Sequence, residues 1–379
     1  MRFAFNEEQE ALRDAARSFL TDHSSSQQVR TAMATETGFD PDVWKRMGAE
    51  LGWTAIIIPE AYGGLGLTYV ELVALMEEMG RALVCAPFFS TIGLAANALL
   101  VGGTEEQKQR FLPGIAAGET IATLAFAEAN GRWDASGIET LAVPDGTGFV
   151  LNGTKTFVLD GHTAEVIVVA ARHGGSRGEA GVSLFVLPAS TAGIERRLLP
   201  TMDQTRKQAE IVFRDVKVPA SALMGNEGEG WSVLGRTLDL AAIALSAEQV
   251  GGAQQCLDLS VEYAKQRVQF ARPIGSFQAI KHKCADMLLR VESARSASYY
   301  AGWAASVDDP ELPALASLAK AYCSDAYFHC AAESIQIHGG VGFTWEYDVH
   351  LYFKRAKSSE VFLGDATYHR ERVARQIGL

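Results

Sequence analysis

Two stretches combine residue types and spacing suited to holding a ligand, the first of them an anionic one. Arg267-Val268-Gln269-Phe270-Ala271-Arg272-Pro273-Ile274-Gly275 ends a long segment of helical periodicity with two cations and an aromatic at a tight exit. Arginine offers a planar fork to phosphate oxygens, so such a corner can hold a pyrophosphate. Gln336-Ile337-His338-Gly339-Gly340-Val341-Gly342-Phe343 is a helix C-terminus running into a glycine-rich turn. Glycines there let a ligand approach the backbone, although a helix stop accounts for one or two of them equally well. The familiar catalytic patterns are missing. The eight histidines form no H-E-x-x-H or comparable cluster, and there is no G-x-S-x-G elbow or G-x-x-x-x-G-K-[ST] loop. No metal is expected, and His338 and His350 read as capping or core residues. Gly63-Gly64-Leu65-Gly66 lies between two helical blocks, without the strand leading into a helix that a dinucleotide-binding loop requires.

The elements that must position these stretches fall into three blocks. The first is helical. Asn6 with Gln9 and Thr104 with Gln107 form capping-box patterns, and Asp40-Pro41 places a cap and a first-turn proline before Trp44 to Leu51. Between Thr120 and Val218 the texture changes to short β-branched runs: Ile121 to Phe126, Thr140 to Val143, Gly148 to Leu151, Thr154 to Leu159, Val166 to Ala170, Val182 to Leu187 and Glu210 to Val218. Asp145-Gly146 and Asn152-Gly153 are hairpin-type turn signals, so an antiparallel barrel or sandwich is expected. After Pro219 long helical patterns return over Trp231 to Arg267, Ser276 to Ser306, Leu312 to His338 and Ser358 to Ile377. The fold class is therefore α+β and multidomain. An N-terminal helical domain (1–117), a middle antiparallel β-barrel or sandwich domain (118–225) and a C-terminal four-helix bundle (226–379) are expected.

Composition narrows the function. The chain has 379 residues, 48% hydrophobic, and 34 Lys+Arg against 45 Asp+Glu give a net charge of −11. That balance argues against nucleic acid or an anionic membrane surface as the partner. Five scattered cysteines without a C-x-x-C pair fit a reduced compartment, and an N-terminus that turns acidic at once lacks a signal-peptide core, so a cytoplasmic protein is expected. The uncharged stretch from Leu83 to Thr104 is long enough to span a bilayer, yet Pro87, Asn97 and Gly102-Gly103 interrupt it, and a buried core helix is the expectation.

Across its whole length the sequence resembles the acyl-CoA dehydrogenases. The resemblance rests on Pro59 through Gly66, Leu151-Asn152-Gly153-Thr154-Lys155, Asn226 through Trp231, Arg267 through Phe270 with Phe277-Gln278-Ala279, and Gln336 through Phe343. It implies FAD, a tetramer built as a dimer of dimers, an acyl-CoA substrate oxidised at Cα–Cβ, and an electron-transfer acceptor. That chemistry needs a carboxylate to take the α-proton, a flavin to take the β-hydride, and hydrogen bonds on the thioester carbonyl.

The residues depart from this pattern where the chemistry is done. The usual base position holds Leu363, the alternative one on the long helix holds Ala241, and the arginine expected next is Ala242. The flavin-facing positions of the β-domain read Ala127, Trp133, Phe157 and Leu159, so hydroxyls that would pair the ring edge are missing. By contrast Arg267, Phe270, Gln336, Gly339 and Gly340 match the positions that, in the family, reach a neighbouring subunit's FAD. The resemblance thus implies a base-lacking subunit that completes the FAD site of a homologous catalytic partner in an α2β2 heterotetramer, of a kind that often acts on bulky acyl-CoAs such as steroid side chains. Two alternatives stay open. One is a self-sufficient homotetramer whose base has moved to Asp365, Glu360 or Asp239, although capping or solvated carboxylates explain these too. The other is a flavin-free structural or acyl-CoA-binding subunit.

Overall fold

The computed structural model describes residues 5–379. The first block holds α1 (Glu7–His23), α2 (Ser26–Ala34), α3 (Pro41–Lys45), α4 (Tyr69–Arg81), α5 (Asn97–Gly102) and α6 (Glu105–Ala116). Both capping boxes form: the Asn6 and Thr104 side chains accept from the Gln9 and Gln107 backbone N–H groups, and each glutamine reaches back. Asp40 caps α3 as expected. The apolar stretch after Leu83 is a π-helical segment, Phe89–Ala96, leading into α5, and it is buried. Among the described residues no helix is long and apolar enough to cross a membrane.

The middle block is one sheet. Its strands are β1 (Ala122–Ala125), β2 (Leu141–Asp145), β3 (Gly148–Leu159), β4 (Val166–Arg172), β5 (Val182–Pro188), β6 (Ile194–Leu199), β7 (Gln208–Pro219) and β8 (Leu223–Met224). The order is β6-β7-β3-β2-β4-β5-β8, with β1 added on β4. Most pairings are antiparallel, but β1 and β4 run parallel, as do β2 and β4 at their single paired position. Phe149, Leu151, Phe185, Phe213 and Ile211 fill the core of the sheet.

Two sequence expectations need correction here. Asp145-Gly146 does make a hairpin, with Asp145 opposite Gly148. Asn152-Gly153 does not, because β3 runs through it with a register shift against β7. The Asn152 side chain accepts from the Asp215 N–H, and a Cβ on Gly153 would lie 2.5 Å from Thr140 Oγ1. The glycine marks a bulge and a close approach, not a turn. Strand β6 is absent from the sequence reading. Its burial is low throughout, so it lacks the alternating signal of a half-buried strand.

The last block contains α7 (Gly230–Gln266), a two-stranded hairpin of β9 (Val268–Gln269) and β10 (Arg272–Pro273), α8 (Gln278–Ser306), α9 (Leu312–His338), α10 (Val349–Val361) and α11 (Ala366–Gln376). The expected helix over 358–377 instead takes in the last turn of α10, which begins earlier at Val349, and the whole of α11. Leu363 at φ +63 and Gly364 at φ +100 break it, and Asp365 caps α11.

The chain divides into two compact units. One comprises residues 32–68 and 85–241 and contains the whole β1–β8 sheet. The other comprises residues up to 31, 69–84 and 242–379, where α4 meets the later part of α7. That meeting is backbone on backbone. A Cβ on Gly80 would lie 1.9 Å from the Glu248 carbonyl oxygen, and one on Gly251 would lie 1.8 Å from that of Glu77. Ion pairs flank the crossing: a buried one of Glu248 with Arg355 at 2.9 Å and a partly buried one of Glu77 with Arg295 at 3.1 Å.

Candidate functional site

In the second unit the structure brings the two ligand-suited stretches together. Arg267 closes the last turn of α7, its N–H donating to the Tyr263 carbonyl at 2.8 Å. One turn earlier the Tyr263 ring stacks on His338, 4.3 Å between centroids, and Tyr347 meets both rings nearly edge-on at 6.1 and 5.8 Å. His338 ends α9, immediately before Gly339 and Gly340. Its Nδ1–H donates to the Ser334 carbonyl at 2.7 Å, and burial holds its pKa below the ordinary imidazole value. The joint between α7 and α9 is therefore a neutral aromatic cluster, and the charge lies outside it.

Beyond Arg267 the chain turns through Phe270 and Ala271 at φ +52 and +62. Consecutive left-handed residues in a two-residue hairpin loop favour Asn-Gly, so Phe-Ala there is strained. Phe270 is 88% exposed, and the Arg272 guanidinium covers Phe277 at 4.0 Å. Arg267 and Gln336 are exposed, and no ion pair engages Arg267 among the described residues. Gly339, at φ +65, and Gly340 have nothing within 4 Å of where a Cβ would stand. A cation, a primary amide and bare backbone thus fit an anionic diphosphate.

The positions expected for a base carry none. Ala241 and Ala242 are buried in α7, and Leu363 is 4% exposed. The substitute carboxylates have other work. Asp365 is exposed and accepts from the Tyr368 N–H at 2.8 Å as the cap of α11, while Glu360 accepts from Lys357 Nζ at 2.8 Å. Asp239 is buried on α7.

In the unit that holds the sheet, the segment carrying Trp133 is clasped at both ends. Glu128 Oε1 accepts from Lys155 Nζ at 2.6 Å and from the Glu139 and Thr140 N–H groups at 3.0 and 2.9 Å. Lys155 is fully buried, and burial lowers its pKa to about 8 against the pull of Glu128. The buried Arg172 guanidinium donates to the carbonyls of Ile138, Ala135, Ser176 and Gly178. Trp133, half-buried, leans on Phe126 with 5.7 Å between centroids. Phe157 projects from a bulge in β3 at φ +55 and is 46% exposed, an available stacking face. The neighbouring side chains do not complement the polar edge of a flavin ring. Ala127, Trp133 and Leu159 bring no hydroxyl, and Thr123 Oγ1 is spent on the Leu159 carbonyl at 2.6 Å. Residues of this sheet therefore do not fit a flavin ring, whereas Arg267, Gln336, Gly339 and Gly340 fit a diphosphate.

Nothing in the sequence signals the joint at Tyr263, the pairing of Lys155 with Glu128 or the Arg172 clasp. Nor do its motifs single out two further buried groups: Lys320, which donates to the Gly364 carbonyl, and His369, which donates to that of Leu363. Lys320 alone had a local signal, a charge within the apolar run Leu312 to Tyr322. Among the described residues no group of three or more His, Cys, Asp and Glu side chains could hold a metal ion.

Family models described as acyl-CoA dehydrogenase N-terminal, middle and C-terminal domains match residues 6–119, 123–216 and 228–378. The chain is 35% identical over 360 residues to acyl-CoA dehydrogenase IpdE2 of Mycolicibacterium smegmatis, covering 95% of each chain. The structure of butyryl-CoA dehydrogenase from Megasphaera elsdenii superposes with a TM-score of 0.92 at 30% identity, covering 100% of both chains. That of the ChsE4-ChsE5 complex from Mycobacterium tuberculosis gives 0.89 at 28% identity, covering 100% of this chain and 99% of that one.

Proposed function

This chain belongs to the acyl-CoA dehydrogenase family, FAD-dependent oxidoreductases acting on CH–CH bonds, and from that premise we propose that it is a base-lacking subunit of a heteromeric dehydrogenase. A homologous partner supplies the glutamate. The observation that carries this reading is the division of labour in the chain. Groups suited to a diphosphate stand exposed and uncommitted at Arg267, Gln336, Gly339 and Gly340, while the base positions are Leu363 and Ala241. The similarity to a structure described as a ChsE4-ChsE5 complex, a two-component assembly, supports it.

FAD bound in such a complex would supply the acceptor for the β-hydride of the acyl-CoA, with an electron-transfer acceptor to regenerate it. This chain's part is binding. Arg267 presents a fork to the diphosphate oxygens, the Gln336 amide donates beside it, and the backbone at Gly339 and Gly340 allows close approach. Phe270, held out by the strained hairpin, offers an exposed aromatic face beside Arg267. No α-proton is taken by this chain, because a leucine and an alanine occupy the places of the base.

The test is to purify the chain alone and co-expressed with a homologous partner that carries the base glutamate, measuring flavin per subunit and ferrocenium-coupled dehydrogenation. About one flavin per pair, with activity only in the pair, is expected. Full flavin and activity in the chain alone would show a relocated base. No flavin in either preparation would show a structural subunit. Arg267→Ala should strip flavin from the pair, and unchanged flavin content removes Arg267 from the site.

A further inference from the structure

The Gly339-Gly340 turn cannot hold its own shape. Gly339 stands at φ +65, and neither glycine has an atom within 4 Å of where a Cβ would lie. Glycine also has the most backbone freedom to lose. On the near side the turn hangs from His338, which the Tyr263 ring and the Ser334 carbonyl fix. On the far side the chain makes a 3-10 turn over Gly339–Phe343, and the Thr344 N–H closes it on the Val341 carbonyl at 3.1 Å. It then runs through Trp345, Glu346 and Tyr347, all exposed, before α10 begins at Val349. Such a stretch gains little from burial, yet two helices grip it.

From α2, Arg30 Nη2 donates to the Tyr347 carbonyl at 3.1 Å and to Asp348 Oδ1 at 2.6 Å, and Ser26 Oγ donates to the same carboxylate oxygen at 2.7 Å. Arg30 Nε steadies this grip by donating to Ser26 Oγ at 3.3 Å. From α10, the Lys354 ammonium lies 4.6 Å from the centre of the Trp345 ring, and the His350 ring meets it edge-on at 4.7 Å. The Arg30 guanidinium reaches the same indole at 5.9 Å. Burial, with the Lys354 and Arg30 cations, holds His350 below the ordinary imidazole value, so a neutral edge and two cations meet the ring. An indole that is 56% exposed is thus kept in place by charge against its ring face more than by burial.

Each such contact is modest where water reaches it, but all of them fall on residues 345–348, directly after the turn. Their joint effect is on position. We propose that Arg30, Asp348 and Trp345 are positioning residues for the diphosphate cradle, tying the chain beyond Gly339 and Gly340 to α2 and α10 so that the bare backbone keeps one setting. None of the three needs to touch the ligand. The inference rests on the reading of that turn as part of a cofactor site, and its first test requires neither flavin nor partner.

The experiment follows hydrogen exchange in the full-length chain at the Gly339 and Thr344 amides, which donate to the Gln336 and Val341 carbonyls. Exchange should speed ~10-fold in Arg30→Gln and in Trp345→Ala, and stay within ~3-fold of native in Trp345→Phe, which keeps a ring under Lys354. Arg17→Ala breaks the pair with Glu78 between α1 and α4, loosening the same unit elsewhere, and should leave both amides unchanged. In the pair with a homologous subunit that carries the glutamate, Arg30→Gln and Trp345→Ala should release FAD ~10-fold faster, with ferrocenium-coupled kcat at saturating FAD within ~2-fold of native. Unchanged exchange in Arg30→Gln and Trp345→Ala, equal acceleration in Arg17→Ala, or faster exchange without faster FAD release overturns the proposal. A native pair that holds no FAD sinks the cofactor reading instead, and exchange then decides on its own whether the clamp sets the turn.

Discussion

The ring of Tyr263 lies 4.3 Å from the ring of His338, at 25° between planes, and so ties the last turn of α7 to the last turn of α9. Two motifs separated by some seventy residues of sequence become one surface through this contact. Tyr263→Ala should lower unfolding free energy in urea by ~2–3 kcal/mol, the low end for aromatic truncation because the ring is half-buried. Tyr263→Phe retains the stacked face and should fall within ~0.5 kcal/mol of the native chain. Equal losses in the two variants would show that the ring contact is not the joint.

The hairpin tip makes an opposite prediction, a gain. Ala271 sits at φ +62, where its Cβ is penalised and glycine's absence of one is not. Ala271→Gly relieves that strain and gives back part of it as unfolded-chain entropy, leaving a net stabilisation of ~0.5–1 kcal/mol by chemical denaturation. A destabilised variant would mean the tip is not strained.

Removing one half of the clasp on the Trp133 segment should be severe. Glu128→Gln leaves the Lys155 ammonium buried without its carboxylate, which costs ~3–5 kcal/mol. The loosened stretch is 129–138, so limited proteolysis should cut there in the variant and spare the native chain. Cleavage elsewhere first would place the weak point outside the clasp.

Acid sensitivity follows from His369. Burial, reinforced by the Lys320 and Arg372 cations, lowers its pKa to about 3. The unfolded chain therefore takes up the proton first as pH falls. The stability contributed by the neutral ring is fully present above the unfolded value of ~6.5 and drains away as pH falls toward 3. His369→Gln should flatten this part of the curve, so the melting difference between native and variant chains shrinks or reverses from pH 7 to pH 4. A constant difference across that range would rule out His369 as the source.

Local chemistry was legible where it is written locally. The capping boxes at Asn6 and Thr104 and the α9 limits at Leu312 and His338 stand as read, because caps, prolines and helical periodicity lie within a few residues of what they specify. The break at Leu363 was not legible, since a leucine in the left-handed region is held there by Lys320, more than forty positions away in the chain. Asn152-Gly153 has the composition of a turn, and only the approach of Thr140 turns it into a bulge. Arg267, Gln336 and the two glycines could be picked out as motifs; their union through Tyr263 and His338 is tertiary and leaves no spacing to read.

The crossing of α4 and α7 has a mechanical consequence. At Gly80 and Gly251 no side chain stands between the two helices, so there is no rotamer to change and no cushion to compress. The joint has one setting. Sliding α7 along its axis must drag α4 with it, and with them the carboxylates of Glu248 and Glu77 that hold Arg355 on α10 and Arg295 on α8. These four helices are therefore tied at one crossing that has no side chain to absorb a shift, and what give the joint has lies in the ion pairs that carry it on to α8 and α10.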